Sequence, residues 1–222
     1  MTRPRYGWQR GSLLLVATFL GALVAAVPTA QAASPVYRVT LKNLARSQAF
    51  SPTLFVAHQP GYHLFALGKT ASTGMRLIAE DGAPRTAADA ARALKTTVAV
   101  QTTRGMIGPG RSVSVEITAP AGSHLSLATM LEQTNDGFTG ADAVALPAKG
   151  SARITLLAYD AGTEANNELR THVPGNPFAG FRRAPTTVPI SVHPGIKGTG
   201  ALDKKVWGWT NPIGQLLIER IR

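Results

Sequence analysis

Acidic side chains are concentrated in two short segments of an otherwise basic chain. The two segments are "EQTNDGFTGADAVALP", residues 132–147, and "YDAGTEANNE", residues 159–168. Six of the twelve acidic residues of the chain lie there: Glu132, Asp136, Asp142, Asp160, Glu164 and Glu168. Carboxylates this close together repel one another unless a positive group lies between them. The spacing therefore raises the question of a bound cation.

Each acidic segment follows an apolar run that is typical of a β-strand, "LSLATML" in the first case and "SARITLLA" in the second. If these strands lie near each other and run in the same direction, both acidic loops lie at one end of the fold. Ca²⁺ prefers six to eight oxygen ligands and tolerates irregular loops. Further oxygens and flexible glycines are available nearby: Thr134, Asn135, Thr163, Asn166, Gly137, Gly140 and Gly162. The residues thus predict a calcium site.

Two other metal sites fit less well, and one non-metal interpretation stays open. The spacing lacks the alternating acids and terminal Glu of an EF-hand loop. Zinc is disfavoured because neither segment contains His or Cys. Alternatively, the acids only cap turns and face water, since Asp-Gly and Asn-Asp are common turn dipeptides. In either case we expect Glu168 to lie in solvent.

Short alternating runs predict a mainly β fold. "VYRVTLKNL" places Tyr37, Val39 and Leu41 on one face, as in a half-buried strand. Six further runs bring the predicted strands to about seven: "SPTLFVAHQPG", "SVSVEIT", "HLSLATML", "ARITLLAY", "TVPISVH" and "GQLLIERIR". Many short strands with Gly and Pro turns favour an antiparallel β-sandwich.

One Ala-rich region, residues 72–96, predicts a short helical insertion between early strands. Gly82 and Pro84 divide it into two helices, the second starting at Thr86 or Ala87, with Asp89 in its first turn. Residues 160–186 form a long polar connection. Loops of this length are usually functional or disordered.

The first 32 residues have the pattern of a cleaved signal peptide. A basic start is followed by an apolar run from Ser12 to Val27, and Ala30 and Ala32 occupy the positions of a small-residue cleavage site. The alternative is an uncleaved anchor, for which the run is short. We expect cleavage after Ala32, a single domain over residues 33–222, no later membrane span, and a secreted or periplasmic location.

The charge balance limits the classes of partner. The formal net charge is +11, and because the first 32 residues carry three Arg and no acid, their removal leaves +8. Nucleic acid is disfavoured because no basic run is interleaved with aromatic residues. Anionic lipid head groups, polysaccharide or protein remain as envelope or extracellular ligands. The chain has no cysteine, which favours a bacterial envelope protein that relies on its core.

Catalytic signatures are weak, so we expect no enzyme. The sequence has no G-x-S-x-G or H-E-x-x-H motif, and His58, His63 and His193 are more simply structural than catalytic. A hydrolase using these histidines is the least favoured alternative. Trp207 and Trp209, in "VWGWTNP", either form a carbohydrate- or membrane-facing platform or pack at the core edge, and we favour the packing role.

Five segments resemble the spondin amino-terminal domain, in the cysteine-free form of exported bacterial proteins. They are "YRVTLKNLARSQAFSPTLFVAHQPGYHLFALGKTAS", "GMRLIAEDG", "NDGFTGADAVALP", "AYDAGTEANNE" and "HPGI", and the resemblance extends from about Val36 to Ile221. In animals this domain occurs in F-spondin and mindin, which are extracellular-matrix adhesion proteins. The resemblance implies an antiparallel β-sandwich similar to calcium-dependent lipid-binding modules, with Ca²⁺ held by loops at one end.

Carried over by position, the resemblance places the metal ligands at Asp136, Asp160 and Glu164, with Asp142 matching a further acid of the family. Glu164 stands where the family often has Asp, so its arm is longer. The chain lacks cysteines and the thrombospondin-type repeats of the animal proteins, so adhesion to an animal receptor does not carry over.

Two functions from different classes remain besides the hydrolase. The first is an exported calcium-binding β-sandwich that acts as a non-enzymatic binding or adhesion module. The second is a charge-driven binder of anionic lipid or polysaccharide that needs no metal.

Overall fold

A computed structural model describes residues 1–2, 7, 33–174, 180 and 182–222. The predicted signal peptide, residues 1–32, thus lies almost entirely outside the described residues. Residues Ala33–Arg222 form one unit. In chain order its described elements are β1 (Val36–Asn43), β2 (Leu54–His58), α1 (Thr73–Asp81), α2 (Arg85–Arg92), β3 (Thr97–Thr102), β4 (Ser112–Thr118), β5 (His124–Met130), β6 (Gly137–Ala145), β7 (Ser151–Leu156), β8 (Ala158–Asp160), β9 (Ser191–Val192), α3 (Lys204–Trp207) and β10 (Gly214–Arg220).

The strands form two antiparallel sheets, as predicted for a β-sandwich. One sheet has the order β4-β1-β10-β7 and the other has the order β3-β2-β5-β6-β8-β9. In the first sheet Val39 lies opposite Ile218 and Val115, so the apolar face of β1 meets the apolar faces of both neighbours. The alternating pattern of β1 is confirmed, since Tyr37, Val39 and Leu41 are fully buried.

The core lies between the sheets, and a second apolar layer lies under the helices. Strand β2 is buried along its whole length. Phe55 and Ala57 belong to the core between the sheets, whereas Leu54 and Val56 belong to the cluster that includes residues of α1 and α2. A strand covered on both faces has a continuous apolar run instead of an alternating one.

The predicted helical insertion is confirmed as α1 and α2. The side chain of Ser72 caps α1 by accepting from the N–H of Met75, and Gly82 ends it in the left-handed conformation with φ of 60°. Helix α2 begins at Arg85, slightly earlier than predicted. Asp89 is not in its first turn but in the middle of the helix, where it pairs with Arg92 at 2.9 Å.

One predicted strand, residues 152–159, is two strands in different sheets. Strand β7 belongs to the smaller sheet and β8 to the larger one, with Leu157 between them. At this interruption, side chains bind the backbone groups that the ladder leaves free. Thr139 donates to the carbonyl of Leu157, and Asn211 accepts from the N–H of Ala158. The chain therefore changes sheets directly before the acidic segment that follows β8.

Two strands lie where the sequence predicted none, and one is shorter than predicted. Strand β3 was not predicted, and β6 occupies most of what the sequence pattern indicated as an acidic loop. Of the predicted strand over 187–193, only Ser191–Val192 pairs with β8. No helix among the described residues is long and apolar enough to span a bilayer.

Candidate functional site

The sheet topology brings the two acidic segments to one end of the sandwich. Strands β5 and β8 are both antiparallel to β6, which lies between them, so they run in the same direction. The chain therefore leaves β5 and β8 at the same end of the larger sheet. The geometric condition on which the predicted calcium site depends is therefore met. Across the β6–β8 ladder, Gly137 lies opposite Asp160, which places Asp136 next to the end of β8.

Asp136 is buried, and only one of its carboxylate oxygens is satisfied by protein groups. Its Oδ2 atom accepts from the N–H of Thr163 at 2.7 Å, the N–H of Glu164 at 3.0 Å and the Thr163 hydroxyl at 3.2 Å. Its Oδ1 atom is buried without a hydrogen-bond partner among the described residues. A buried carboxylate oxygen without a partner is costly, so this atom is a candidate metal ligand.

Asp160 adds a second negative charge beside Asp136. Its Oδ1 atom accepts from the N–H of Gly162 at 2.7 Å, and its Oδ2 atom accepts from the Asn166 amide. Burial, and then the nearby charge of Asp160, raise the pKa of Asp136 from 3.8 to about 7, although the hydrogen bonds from Glu164 and Thr163 oppose the rise. A cation between the two carboxylates would remove this repulsion.

Glu164 contributes its backbone to Asp136 but turns its carboxylate towards a cationic side chain. Its Oε1 atom accepts from Arg183 at 2.9 Å, while its Oε2 atom is buried without a partner among the described residues. Burial raises the pKa of Glu164, Arg183 opposes this rise, and Glu80 adds to it. Arg183 also binds Glu80 at 2.6 Å and Asp81 of α1.

The carboxylates of Asp136, Asp160 and Glu164 are of the ligand type that a calcium site uses. In the part of the chain that the structure describes, no three His, Asp or Glu side chains already converge as a metal cage. The unpartnered oxygens of Asp136 and Glu164, together with the carboxylate of Asp160, are nevertheless the hard ligands that Ca²⁺ prefers.

Asp142 lies apart from the other three predicted ligands. It is five residues beyond Gly137 on β6, about 16 Å along a strand. There it accepts from the N–H of Leu64 at 2.6 Å and from the Ser126 hydroxyl at 3.0 Å, and it pairs with His63 at 2.6 Å. These contacts join β5 and β6 to the segment that follows β2.

The expectation that Glu168 lies in solvent is wrong. Glu168 is only 3% exposed, and its carboxylate accepts from the N–H groups of Lys197, Gly198 and Thr199 at 2.5 to 2.9 Å. Burial alone would raise its pKa, but these hydrogen bonds prevail and lower it below 4.5. Glu168 thus fastens the segment after β8 to the segment that precedes α3.

The predicted turn roles of the glycines hold at one of three positions. Gly162 has a φ of 71°, and a Cβ there would overlap the carbonyl of Val188. Gly137 and Gly140 lie within strand β6 and not in turns. Their lack of a side chain allows neighbouring atoms to approach the β6 backbone closely. A Cβ on Gly140 would overlap the carbonyl of Leu127, and one on Gly137 would crowd Thr134.

His58 and His193 belong to two different structural clusters. His58 contacts the Ser126 hydroxyl at 2.9 Å, and the same hydroxyl donates to Asp142. In a Ser-His-Asp triad the acid orients the histidine. Here Asp142 contacts the serine instead, and Ser126 is fully buried. In the second cluster His193 packs against Trp209 at 5.0 Å, and burial lowers its pKa to about 4.

Two important residues of this region were not identified from the sequence. Arg183 was missed because nothing local shows that it meets the acids of α1 and the segment after β8. Asn135 was considered only as a source of oxygen, but it donates to Asn167 at 3.3 Å and accepts from the N–H of Glu168 at 3.3 Å. It therefore holds the two acidic segments together.

Comparison with known protein families shows to which family the chain belongs. The profile of the family described as Spondin_N matches residues 39–187, which is more than half of the chain. The chain belongs to the spondin amino-terminal domain family. No curated protein matches it. The match covers Asp136, Asp142, Asp160, Glu164 and Arg183, and it ends before β9, α3 and β10.

Membership assigns this spondin domain to a class of extracellular domains that are generally non-catalytic. It also agrees with the two-sheet architecture. The match to the family does not itself show a metal or a binding partner.

Proposed function

We propose that this spondin domain is an exported, non-enzymatic binding or adhesion module that uses Ca²⁺ to stabilise its loop end. The export step relies on the signal-peptide pattern of the first 32 residues, and the location is secreted or periplasmic. The observation that carries the calcium proposal is the buried Oδ1 atom of Asp136, which has no described partner and lies near the charge of Asp160.

In this proposal Asp136, Asp160 and Glu164 hold the metal. Bound Ca²⁺ supplies positive charge that offsets the repulsion between the carboxylates. The chain already fixes the segment after β8 through the hydrogen bonds from Thr163 and Glu164 to Asp136. A loop end that is held in one conformation binds a partner with less loss of conformational entropy. Asp142 is left out of the proposed ligand set because its carboxylate contacts Leu64, Ser126 and His63.

Thermal unfolding with Ca²⁺ and with a chelator tests this proposal. A ligand that binds only the folded state adds about 2.7 kcal/mol at a concentration of 100 Kd. For a domain of this size that corresponds to a rise in Tm of about 5–10 °C. We expect this rise in the wild type and in Asp142→Asn, and its loss in Asp136→Asn. Identical melting curves of the wild type in Ca²⁺ and chelator would contradict the proposal.

The second candidate function is charge-driven binding of an anionic ligand without metal. One observation favours it, namely a cluster of exposed cationic side chains around a cleft near α3. This cleft is distinct from the proposed metal ligands, so both candidates can hold together. Binding measured in the presence of a chelator distinguishes the two candidates, since only the charge-driven one needs no metal.

A further inference from the structure

A cleft of about 1030 Å³ opens between the end of β1 and the segment that contains α3. One wall is formed by Leu44–Arg46 and the other by residues between 194 and 210. The side chains that give the cleft its chemistry are Arg46, Lys197, Lys204, Lys205 and Trp209. A concavity of this size accommodates a ligand or a polymer segment of several rings.

The cleft is strongly positive. Arg46, Lys197, Lys204 and Lys205 are all exposed, and none of them forms an ion pair with a carboxylate of the described residues. The one acid in the lining is Asp203, whose carboxylate accepts from the N–H of Lys205 at 2.8 Å. Low-dielectric walls that carry one sign of charge concentrate ligands of the opposite charge.

The cleft wall that carries the lysines, residues 194–210, is fixed by contacts with Glu168 and with a small apolar cluster. Glu168 accepts from the N–H groups of Lys197, Gly198 and Thr199, so the backbone of this segment is fixed. Ile196 and Leu202 are buried together with Val173. The cationic side chains therefore project from a backbone that is held in place before any ligand arrives, which lowers the entropic cost of binding.

Trp209 adds an aromatic surface to the positive cleft. Trp209 is half-buried and lines the cleft. It also packs against the core between the sheets, against the cluster of Val173, Ile196 and Leu202, and against His193 at a ring distance of 5.0 Å, in line with the packing role expected from the sequence. Aromatic rings provide apolar faces for stacking, while the lysines provide point charges for anionic groups. A sugar ring that carries a carboxylate matches both features, because its C–H face is apolar and its substituent is charged.

We propose that this cleft binds an acidic polysaccharide. The inference deepens the binding-module function proposed above, since it names the ligand class, but it does not require calcium. A polysaccharide fits better than a bilayer because the cationic groups line a concavity, whereas a bilayer is a surface that a concave wall cannot meet. Arg46 lies within residues 39–187 that match the spondin family, whereas the wall of residues 194–210 lies beyond them.

Titration of the purified protein with an oligogalacturonate in chelator, by calorimetry and by tryptophan fluorescence, tests this inference. A neutral glucose oligosaccharide of equal length is the control ligand. We expect binding of the acidic oligosaccharide alone, weakening steeply with added salt. The double variant Lys204→Glu/Lys205→Glu should lower the affinity at least about tenfold, since like charges across an interface are strongly unfavourable. The control Lys95→Glu/Arg104→Glu changes two exposed cations outside the cleft and should leave affinity within about twofold.

Three results would overturn the inference. They are equal binding of the neutral oligosaccharide, equal loss of affinity in both double variants, and binding to phosphatidylglycerol vesicles through Lys204 and Lys205 without binding of the acidic oligosaccharide. All titrations are made in chelator. A failed calcium response in thermal unfolding would therefore count against the metal proposal and not against the cleft.

Discussion

The backbone of Glu164 donates to the Oδ2 atom of Asp136 at 3.0 Å, whereas the carboxylate of Glu164 accepts from Arg183. One residue thus links the proposed metal site to the ion pairs of α1. The unpartnered Oε2 atom of Glu164 and Oδ1 atom of Asp136 are both buried. The region is therefore well connected, while each of these two carboxylates keeps one buried oxygen without a partner among the described residues.

Asp136→Asn should stabilise the metal-free protein at neutral pH while removing its calcium response. Folding raises the pKa of Asp136 from 3.8 to about 7, so its contribution to stability is fully present below about pH 4 and is lost as the pH rises through 7. The amide of the variant does not ionise, so the variant does not lose this stability as the pH rises. In chelator at pH 8 we expect it to be about 1–3 kcal/mol more stable than the wild type, with no difference at the acid end. Urea unfolding across this range measures the difference, and a less stable variant at pH 8 would contradict it.

Arg183→Gln should destabilise the fold because the buried carboxylate of Glu164 loses its cationic partner, whereas Glu80 keeps its ion pair with Arg76 at 2.8 Å. The side chains of Glu80 and Glu164 are 2% and 0% exposed, while that of Arg183 is 33% exposed. Removing one partner of a buried pair costs about 3–5 kcal/mol, and we expect about 2–4 here because solvent screens part of the charge. Chemical denaturation measures the loss. Arg182→Gln, at the exposed neighbouring position, is the matched control and should change stability little.

Adding Glu164→Gln to Arg183→Gln should recover part of this loss. The double variant no longer buries the unpaired charge of Glu164, so the two changes should couple by about 1–3 kcal/mol. Strictly additive losses would show that Arg183 acts through other contacts.

Glu168→Gln should lower stability at neutral pH by about 1.5–3 kcal/mol, because hydrogen bonds to a charged acceptor contribute that much. The folded protein lowers the pKa of Glu168 below 4.5, so its contribution is present above pH 4.5 and is lost as the pH falls through the lowered value. The difference between wild type and variant should therefore shrink in acid. Glu116→Gln is the control, since its ion pair with Arg38 is half-exposed and contributes little. A pH-independent difference would contradict the role assigned to the Glu168 charge.

Gly162→Ala should destabilise the protein more than Gly122→Ala. Both glycines have positive φ, 71° and 82°, so both substitutions incur backbone strain of about 1–2 kcal/mol. A Cβ at Gly162 would also overlap the carbonyl of Val188, whereas nothing lies within 4 Å of one at Gly122. We expect an additional loss of about 1–3 kcal/mol at Gly162. Equal losses in thermal unfolding would show that the segment near Val188 moves freely.

Local patterns predicted the elements that alternate or carry clear caps. Strand β1 alternates along its whole length, and α1 lies between Ser72 and Gly82 as its sequence indicates. Strand β6 was missed because Gly137, Gly140 and Asp142 are unfavourable in strands by propensity. Pairing with β5 on one side and β8 on the other overrides that propensity.

The candidate site was predictable to the extent that it depends on strand direction. Asp136 and Asp160 meet because β6, which follows Asp136, pairs with β8. The sequence pattern allowed us to state only that the strands before the two acidic segments should lie near each other and run in the same direction, as β5 and β8 do. The partners of Glu164 and Glu168 were not predictable, since Arg183 and the N–H groups of 197–199 come from distant segments. Sequence spacing carries no information about such long-range contacts.

Metal stoichiometry is the sharpest test of the proposal that Asp136, Asp160 and Glu164 hold a calcium ion. The measurement is equilibrium dialysis of chelator-treated protein against Ca²⁺, followed by metal analysis by mass spectrometry of the wild type, Asp136→Asn and Asp142→Asn. We predict one calcium ion per chain in the wild type and in Asp142→Asn, and none in Asp136→Asn. Absence of calcium from the wild type, or equal calcium in wild type and Asp136→Asn, would show that these residues do not form a calcium site.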